Sequence, residues 1–459
     1  MLKRILVANR GEIAVRIIRA CREMNIETVA VYSLADKDAL HVKLANEAVC
    51  IGPAKTADSY LNMQNIITAA LKTNCDGVHP GFGLLSENAA FADILKKCGI
   101  HFIGPSAKVI KMMGDKSTAR EMMLENGVPV VPGSNGIVES ADQAEKIAEK
   151  IGYPVLIKAT AGGGGRGMRI AYTRDDLQYA YQTAKSEAKS CFGNDSVYLE
   201  KLIENPKHIE FQILADTHGN VIHLGERECS IQRKNQKLIE ESPSKAIDDK
   251  MRDKMGKAAV LAAKASGYTN AGTVEFVVDQ NENFYFIEMN TRIQVEHAVT
   301  EMVTGIDIVR EQIRIASGLA LDYKQEDVKL SGHAIECRIN AEDPLHGFIP
   351  CPGTVNFLHL PGGYNVRVDT ALFAGYQISP HYDSMVAKII VKGTTRMQAI
   401  YRMRRALEEF LIDGVKTNHG LLYLILHNFD FVKGRYDTGF IEKHSEELLS
   451  EDTIRSAIL

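Results

Sequence analysis

The 459-residue chain is long enough for two or three domains, and its 45% hydrophobic and 24% charged residues are ordinary for a folded globular protein rather than a disordered one. Lys+Arg at 54 nearly balance Asp+Glu at 58, a formal net charge of -4, which argues against the broad basic field of a nucleic-acid binder. No apolar run approaches the roughly 18 residues of a membrane span, and the first ten residues hold too short an apolar stretch for a signal peptide.

The first elements alternate strand and helix. Residues 4–8 form a short apolar run, 12–24 carry Ile13, Ile17, Ala20 and Met24 at helical spacing, and 28–32 are rich in β-formers. This βαβ opening predicts a Rossmann-like parallel sheet. Helices at 60–71 and 87–97, a turn-rich loop at 79–83 and a strand at 100–103 complete a first domain, 1–113. A helix at 116–125 opens a second domain, 114–320. Within it, 130–202 reads as a compact α+β lid, with strands at 153–160, 168–173 and 196–202 and a helix at 177–189. Strands at 208–214 and 221–224 follow, then a charged stretch at 226–241, a helix at 250–265, a hairpin at 272–290 and a helix at 306–316. Composition turns polar and charged over 322–329, and a third, α+β domain spans 333–441. Its strands are expected at 333–339, 354–359 and 385–392 and its helix at 397–411. The fold class is thus a mixed α/β and α+β multidomain protein. Eight cysteines form no C-x-x-C pair and no zinc-like spacing, which fits free thiols in a reducing, cytoplasmic setting.

Four consecutive glycines at 162–165 lie between a strand ending near Lys158 and a second strand opening at Met168. Such a run leaves backbone N–H groups free to point at an anion, and Lys158 and Arg166 add positive charge. Neither a Walker A loop nor a G-x-G-x-x-G turn fits, because no Gly-Lys-Ser/Thr follows and the next element is a strand. A hairpin lid over a nucleotide phosphate is expected; a plain surface turn is the alternative.

The hairpin 272–290 is the most informative segment. With its polar turn centred between Asn281 and Glu282, Glu275 lies directly opposite Glu288, with Cβ atoms about 4.5–5.5 Å apart. Asn290 shares that face. Two carboxylates so close repel, and a cation turns that cost into binding. Hard oxygen donors suit Mg²⁺ that also holds nucleotide phosphates. Unrelated acids on an exposed hairpin are the alternative, weakened by the apolar run 284–287. If the chain stays extended, Arg292, Gln294 and Glu296 continue along the same edge, where an arginine can fix a small oxyanion and Glu296 can take a proton. A solvated charged edge would have the same spacing.

Other groups are less specific. Lys116 opens a helix and could reach a phosphate. The basic run 232–237 is a solvated loop or an anion site. Arg338 sits in an alternating strand and faces either a cleft or solvent.

Taken together, these segments resemble the biotin carboxylases of the ATP-grasp superfamily. The resemblance covers nearly the whole chain, and the runs 288–297 (Glu-Met-Asn-Thr-Arg-Ile-Gln-Val-Glu-His) and 336–343 (Glu-Cys-Arg-Ile-Asn-Ala-Glu-Asp) carry it most specifically. It implies ATP-dependent carboxylation of biotin with bicarbonate through carboxyphosphate, the first half-reaction of acetyl-CoA carboxylase in fatty acid synthesis. Another ATP-grasp carboxylate–amine ligase is the alternative. Lys116, Lys158, Gly163, Gly164, Gly165, His208, Gln232 and Asn235 would surround ATP, and Glu200, Lys201, Leu202 and Ile203 would face adenine. Glu275, Glu288 and Asn290 would hold one or two Mg²⁺ (or Mn²⁺). Lys237, Arg292, Gln294 and Val295 would bind bicarbonate. Glu296 would be the general base, and Arg338 would stabilise the biotin enolate. Biotin would arrive on a separate carrier protein, with separate carboxyltransferase subunits and a homodimeric enzyme; neither nucleic acid nor membrane is an expected partner. Three positions depart from the family pattern: Phe82 stands for a Tyr, Asn235 for a His and Ala298 for a Pro.

Overall fold

The computed structural model describes residues 1–160 and 167–450. The opening region forms a five-stranded parallel sheet in the order Glu47–Gly52, Glu27–Ser33, Arg4–Val7, Gly77–His79, His101–Phe102. Its chain order reverses at Arg4–Val7, which has neighbours reached by crossovers in both directions. Loops at the carboxyl ends of such central strands form the natural cleft. Here Asn9 follows the first strand and its side-chain amide donates to Pro80 O at 2.7 Å and Phe82 O at 2.8 Å. That fixes the 79–83 turn, whose tip reaches the cleft described below.

The rest is organised by one antiparallel sheet of eight strands. Its order is Phe284–Asn290, Asn270–Val278, Lys207–Ala215, Val221–Arg233, Gln236–Ser242, His333–Asn340, Met385–Gly393, Val366–Thr370. The strand His333–Asn340 pairs directly with Gln236–Ser242, placing Cys337 opposite Ile239 and Glu336 opposite Glu240. One face of the first strands is apolar. Phe276 meets Phe211, Phe284 and Phe286 edge-on, with ring centroids 6.2, 5.6 and 6.5 Å apart. The helix Asp249–Ser266 covers this face with Met255, Ala259, Ala262 and Ala263. The expected insert is a three-stranded sheet of Met168–Ala171, Val155–Ala159 and Val197–Lys201 backed by helices Ala141–Ile151 and Arg174–Phe192.

Two expectations are corrected. The basic run 232–237, expected as a solvated loop or an anion site, is not a solvated loop. It joins two sheet strands, Val221–Arg233 and Gln236–Ser242, through Lys234 and Asn235, whose φ angles of 48° and 64° suit a tight hairpin turn. The charges in these strands are tolerated because they are paired: Arg227 with Glu210 on the neighbouring strand, and Glu226 and Glu241 with Arg252 and Arg396 on two helices. The chain also does not stay extended after Asn290; it turns and enters a helix, His297–Thr304.

Phe276→Ala should cost about 3–5 kcal/mol, because the aromatic cluster has no side chain free to fill the hole. Chemical denaturation monitored by circular dichroism measures it, and a loss under about 1 kcal/mol would show that the cluster collapses freely.

Candidate active site

Residues from all three regions enclose a cavity of about 960 Å³. Every candidate site residue among the described ones lines it. Among these are Lys116, Lys158, Glu200, Lys201, Leu202, Ile203, His208, Gln232 and Asn235, the residues expected around a nucleotide. Deeper lie Lys237, Glu275, Glu288, Asn290, Arg292, Gln294, Val295, Glu296 and Arg338. Gly163, Gly164 and Gly165 fall outside the described residues.

Cross-strand register builds the floor. Glu288 pairs with Glu275, Glu275 with Glu210, and Glu210 with Arg227, so three carboxylates and a guanidinium stand in one row across four strands. The expected opposition of Glu275 and Glu288 is present, but the turn is one residue tighter than expected: Val278 pairs with Phe284, and an irregularity after Glu275 restores the register. Arg227 is fully buried and donates to Glu210, Gln212, Thr300, Thr273 and Gln294 at 2.6–3.1 Å.

Lys237 reaches over the row. Its Nζ lies 2.5 Å from Glu210, 3.1 Å from Glu275 and 2.6 Å from Glu296. Glu296 is also held by Arg338 Nη2 at 2.9 Å, and Arg338 in turn by Glu240 at 2.5 Å. Burial alone would push the Glu296 carboxyl up, but Lys237 and Arg338 hold it well below the ordinary carboxylate value. Glu275 behaves likewise, with Lys237 and then His208 outweighing burial. Glu240 goes the other way: burial outweighs Arg338 and lifts it to about 7.

The turn after Asn290 brings Arg292, Gln294 and Glu296 to the same cavity without extended parity. Arg292 donates to Glu87 at 2.9 Å and to Asn290 Oδ1 at 2.9 Å. Gln294 donates to Glu275 at 2.6 Å and accepts from Arg227 at 2.8 Å. At the nucleotide end, Lys116 pairs with Glu288 at 2.8 Å and Lys158 with Glu200 at 2.5 Å. The Lys201 ammonium instead donates to the carbonyls of Gly152 and Tyr153. The Lys201 and Leu202 N–H groups bond Pro132 O and Pro154 O.

Sequence reasoning missed Glu87, Glu210, Arg227 and Glu240. Glu210 was legible, since it alternates with His208 on one strand face. Arg227 and Glu240 lie in the charged stretch 226–241, where the charge pattern points to no strand.

The donor set suits a hard divalent cation: adjacent carboxylates from Glu275 and Glu288, with the Asn290 amide beside them. His208, Glu210 and Glu275 also present ligand atoms within 4.8 Å of one another. A second such group is Glu210, Cys229 and Glu296.

Family models match along the chain: biotin carboxylase, N-terminal domain, over residues 1–110; the ATP-binding domain of the carbamoyl-phosphate synthase L chain over 115–324; and the biotin carboxylase C-terminal domain over 336–443. Biotin carboxylase 1 of Bacillus subtilis is 58% identical over 445 residues, covering 97% of this chain and 99% of the relative. The chain belongs to the biotin carboxylase family. Among solved structures, the Campylobacter jejuni biotin carboxylase in its β,γ-ATP complex superposes with a TM-score of 0.95 at 50% identity, covering 97% and 99% of the two chains. The biotin carboxylase domain dimer of Hydrogenobacter thermophilus 2-oxoglutarate carboxylase, in complex with MgADP, ADP and bicarbonate, gives 0.94 at 53% identity, covering 98% and 99%. The chain is accordingly an ATP-grasp ligase.

Lys237→Met should make stability pH-dependent in a defined direction. In the wild type, Glu275 and Glu296 sit below their ordinary 4.5, so their ionisation stabilises above that pH and the gain is lost as pH falls through their folded values. Without Lys237, burial moves the same acids upward, and stability drops as pH rises. The gap in Tm between wild type and variant should widen from about pH 5 to pH 8; a gap independent of pH would refute the pairing.

Proposed function

We propose that the protein carboxylates biotin on a separate carrier protein, using ATP and bicarbonate, with the residue roles that follow. The observation that supports this best is Glu296 clamped between Lys237 at 2.6 Å and Arg338 at 2.9 Å beside the carboxylate row. A base flanked by two cations suits a reaction whose substrates are anions.

Bicarbonate is a poor electrophile and biotin N1′ a poor nucleophile, so ATP must activate one of them. Arg292, Gln294 and the Val295 backbone hold bicarbonate, and Glu296 takes its proton. The pull of Lys237 and Arg338 keeps Glu296 ionised. Substrate anions drawing on those cations weaken that pull and raise its basicity. The bicarbonate oxygen attacks the γ-phosphorus as the bond to ADP breaks, giving carboxyphosphate. Lys237 neutralises charge on the transferring phosphoryl group. Carboxyphosphate then parts into CO₂ and phosphate, the phosphate takes the N1′ proton, and N1′ attacks CO₂ while Arg338 stabilises the enolate oxygen. Glu275, Glu288 and Asn290 would hold Mg²⁺, which supplies further charge neutralisation at the phosphates. The lid, 130–202 within the unit 114–320, would exclude water that wastes the intermediate.

The chain is read as a homodimer working with a biotin carboxyl carrier protein and carboxyltransferase subunits in acetyl-CoA carboxylase, in the cytoplasm. The eight free cysteines support that compartment. A 2-oxoglutarate setting is the second reading, favoured by 53% identity to the 2-oxoglutarate carboxylase small subunit of H. thermophilus. The half-reaction is the same, and the transferase chooses the acceptor. Malonyl-CoA formed on adding cognate carrier and transferase supports the first setting; carboxylation of 2-oxoglutarate alone would replace it.

Glu296→Ala should lower bicarbonate-dependent ATP cleavage by at least about 10²-fold; near-normal turnover would reject it as the base. Arg338→Gln should leave the ATP KM within about twofold and depress carboxylation of free biotin about 10²-fold; a collapse of ATP affinity would reassign Arg338. Glu288→Gln should move the Mg²⁺ dependence of ATPase activity about tenfold upward, and an unchanged titration would remove Glu288 from the metal site.

A further inference from the structure

Lys388 is fully buried in the apolar strand Met385–Gly393, an environment that disfavours a bare ammonium. It stands directly opposite Arg338 on one neighbouring strand and Asp369 on the other. Its Nζ donates to the Val295 carbonyl at 2.7 Å and pairs with Glu12 at 3.2 Å. Glu12 belongs to the first helix, Gly11–Glu23, Val295 to the turn that carries Glu296, and Lys388 to the far side of the large sheet. One ammonium therefore joins three segments remote in sequence.

Charge pairing alone does not account for it. An apolar pair of similar volume in place of a buried ion pair is often neutral or stabilising. What an apolar side chain cannot do is donate to Val295 O. The segment 291–296 lies outside regular helix and strand, so its backbone groups need side-chain partners. Thr291 N–H donates to Glu87 at 3.2 Å, Gln294 O lies 2.8 Å from His297 Nδ1, and Val295 O takes its hydrogen bond from Lys388.

We infer that Lys388 is a positioning residue: by holding the Val295 carbonyl it sets the turn that presents Gln294, Val295 and Glu296 to bicarbonate. This rests on the activity proposed above. It touches no substrate itself. Its loss frees the turn, so Glu296 no longer sits between Lys237 and Arg338, while the nucleotide end of the cavity is undisturbed.

The test compares full-length wild type, Lys388→Met and the double variant Lys388→Met/Glu12→Gln, in which no unpaired Glu12 charge is left buried. Thermal stability and the kinetics of ATP cleavage against ATP and against bicarbonate are measured for each. Lys388→Met should lose stability, and the double variant should recover most of it. Both should keep the ATP KM within about twofold yet lose at least about tenfold in kcat/KM for bicarbonate, the cost of one lost buried hydrogen bond. A double variant that regains wild-type kcat/KM for bicarbonate would overturn the proposal, as would parallel loss for both substrates. If Lys388→Met does not fold, the double variant alone decides. A wild type whose ATP cleavage ignores bicarbonate would instead refute the proposed activity and leave Lys388 a purely structural ion pair.

Discussion

Three carboxylates side by side in a sheet set the terms for this site. Glu288, Glu275 and Glu210 are cross-strand neighbours, and two like charges about 5 Å apart repel by about 3 kcal/mol at an effective dielectric near 20. The row persists because cations meet it from several sides: Arg227 at its end, Lys237 above it and Lys116 at its flank, with the His208 ring 3.0 Å from Glu275. The same arrangement that costs stability offers the hard oxygen donors that suit a divalent ion.

Because charge balance cannot come from one element, the fold gathers it from several. Lys237 lies on the outgoing strand of a hairpin whose turn positions Asn235, and Arg338 lies on the next strand over. The continuous eight-stranded sheet thus lays the acid row and the Glu296–Arg338 contact on one surface. Arg227 locks this surface from behind through five hydrogen bonds, one of them to Gln294. Charged residues of the large sheet and residues of the 130–202 region line the same cavity.

The parallel sheet contributes at the cleft's other wall. Asn9 and the 79–83 turn follow two adjacent central strands, and Glu87, a few residues on, reaches Arg292. Glu12 begins the first helix and pairs with Lys388. The cavity around Arg292 and Glu296 is therefore shaped by all three regions at once.

The sequence by itself determined the opening strand–helix alternation and the acid pair of the hairpin, because strand alternation and turn chemistry are local properties that survive without tertiary context. Helix Lys116–Glu125 and the Glu275–Glu288 opposition were legible on that basis. The roles of Lys237 and Arg338 came from resemblance, since spacing could not say which way either side chain faced. Only the tertiary structure decided that 226–241 is buried sheet, that the chain after Asn290 bends, and that Glu210, Arg227, Glu240 and Lys388 converge on Glu296. The physical reason is that a buried charge is stable only against a partner, and for these residues the partner lies on another strand or helix, from 17 to 376 residues away.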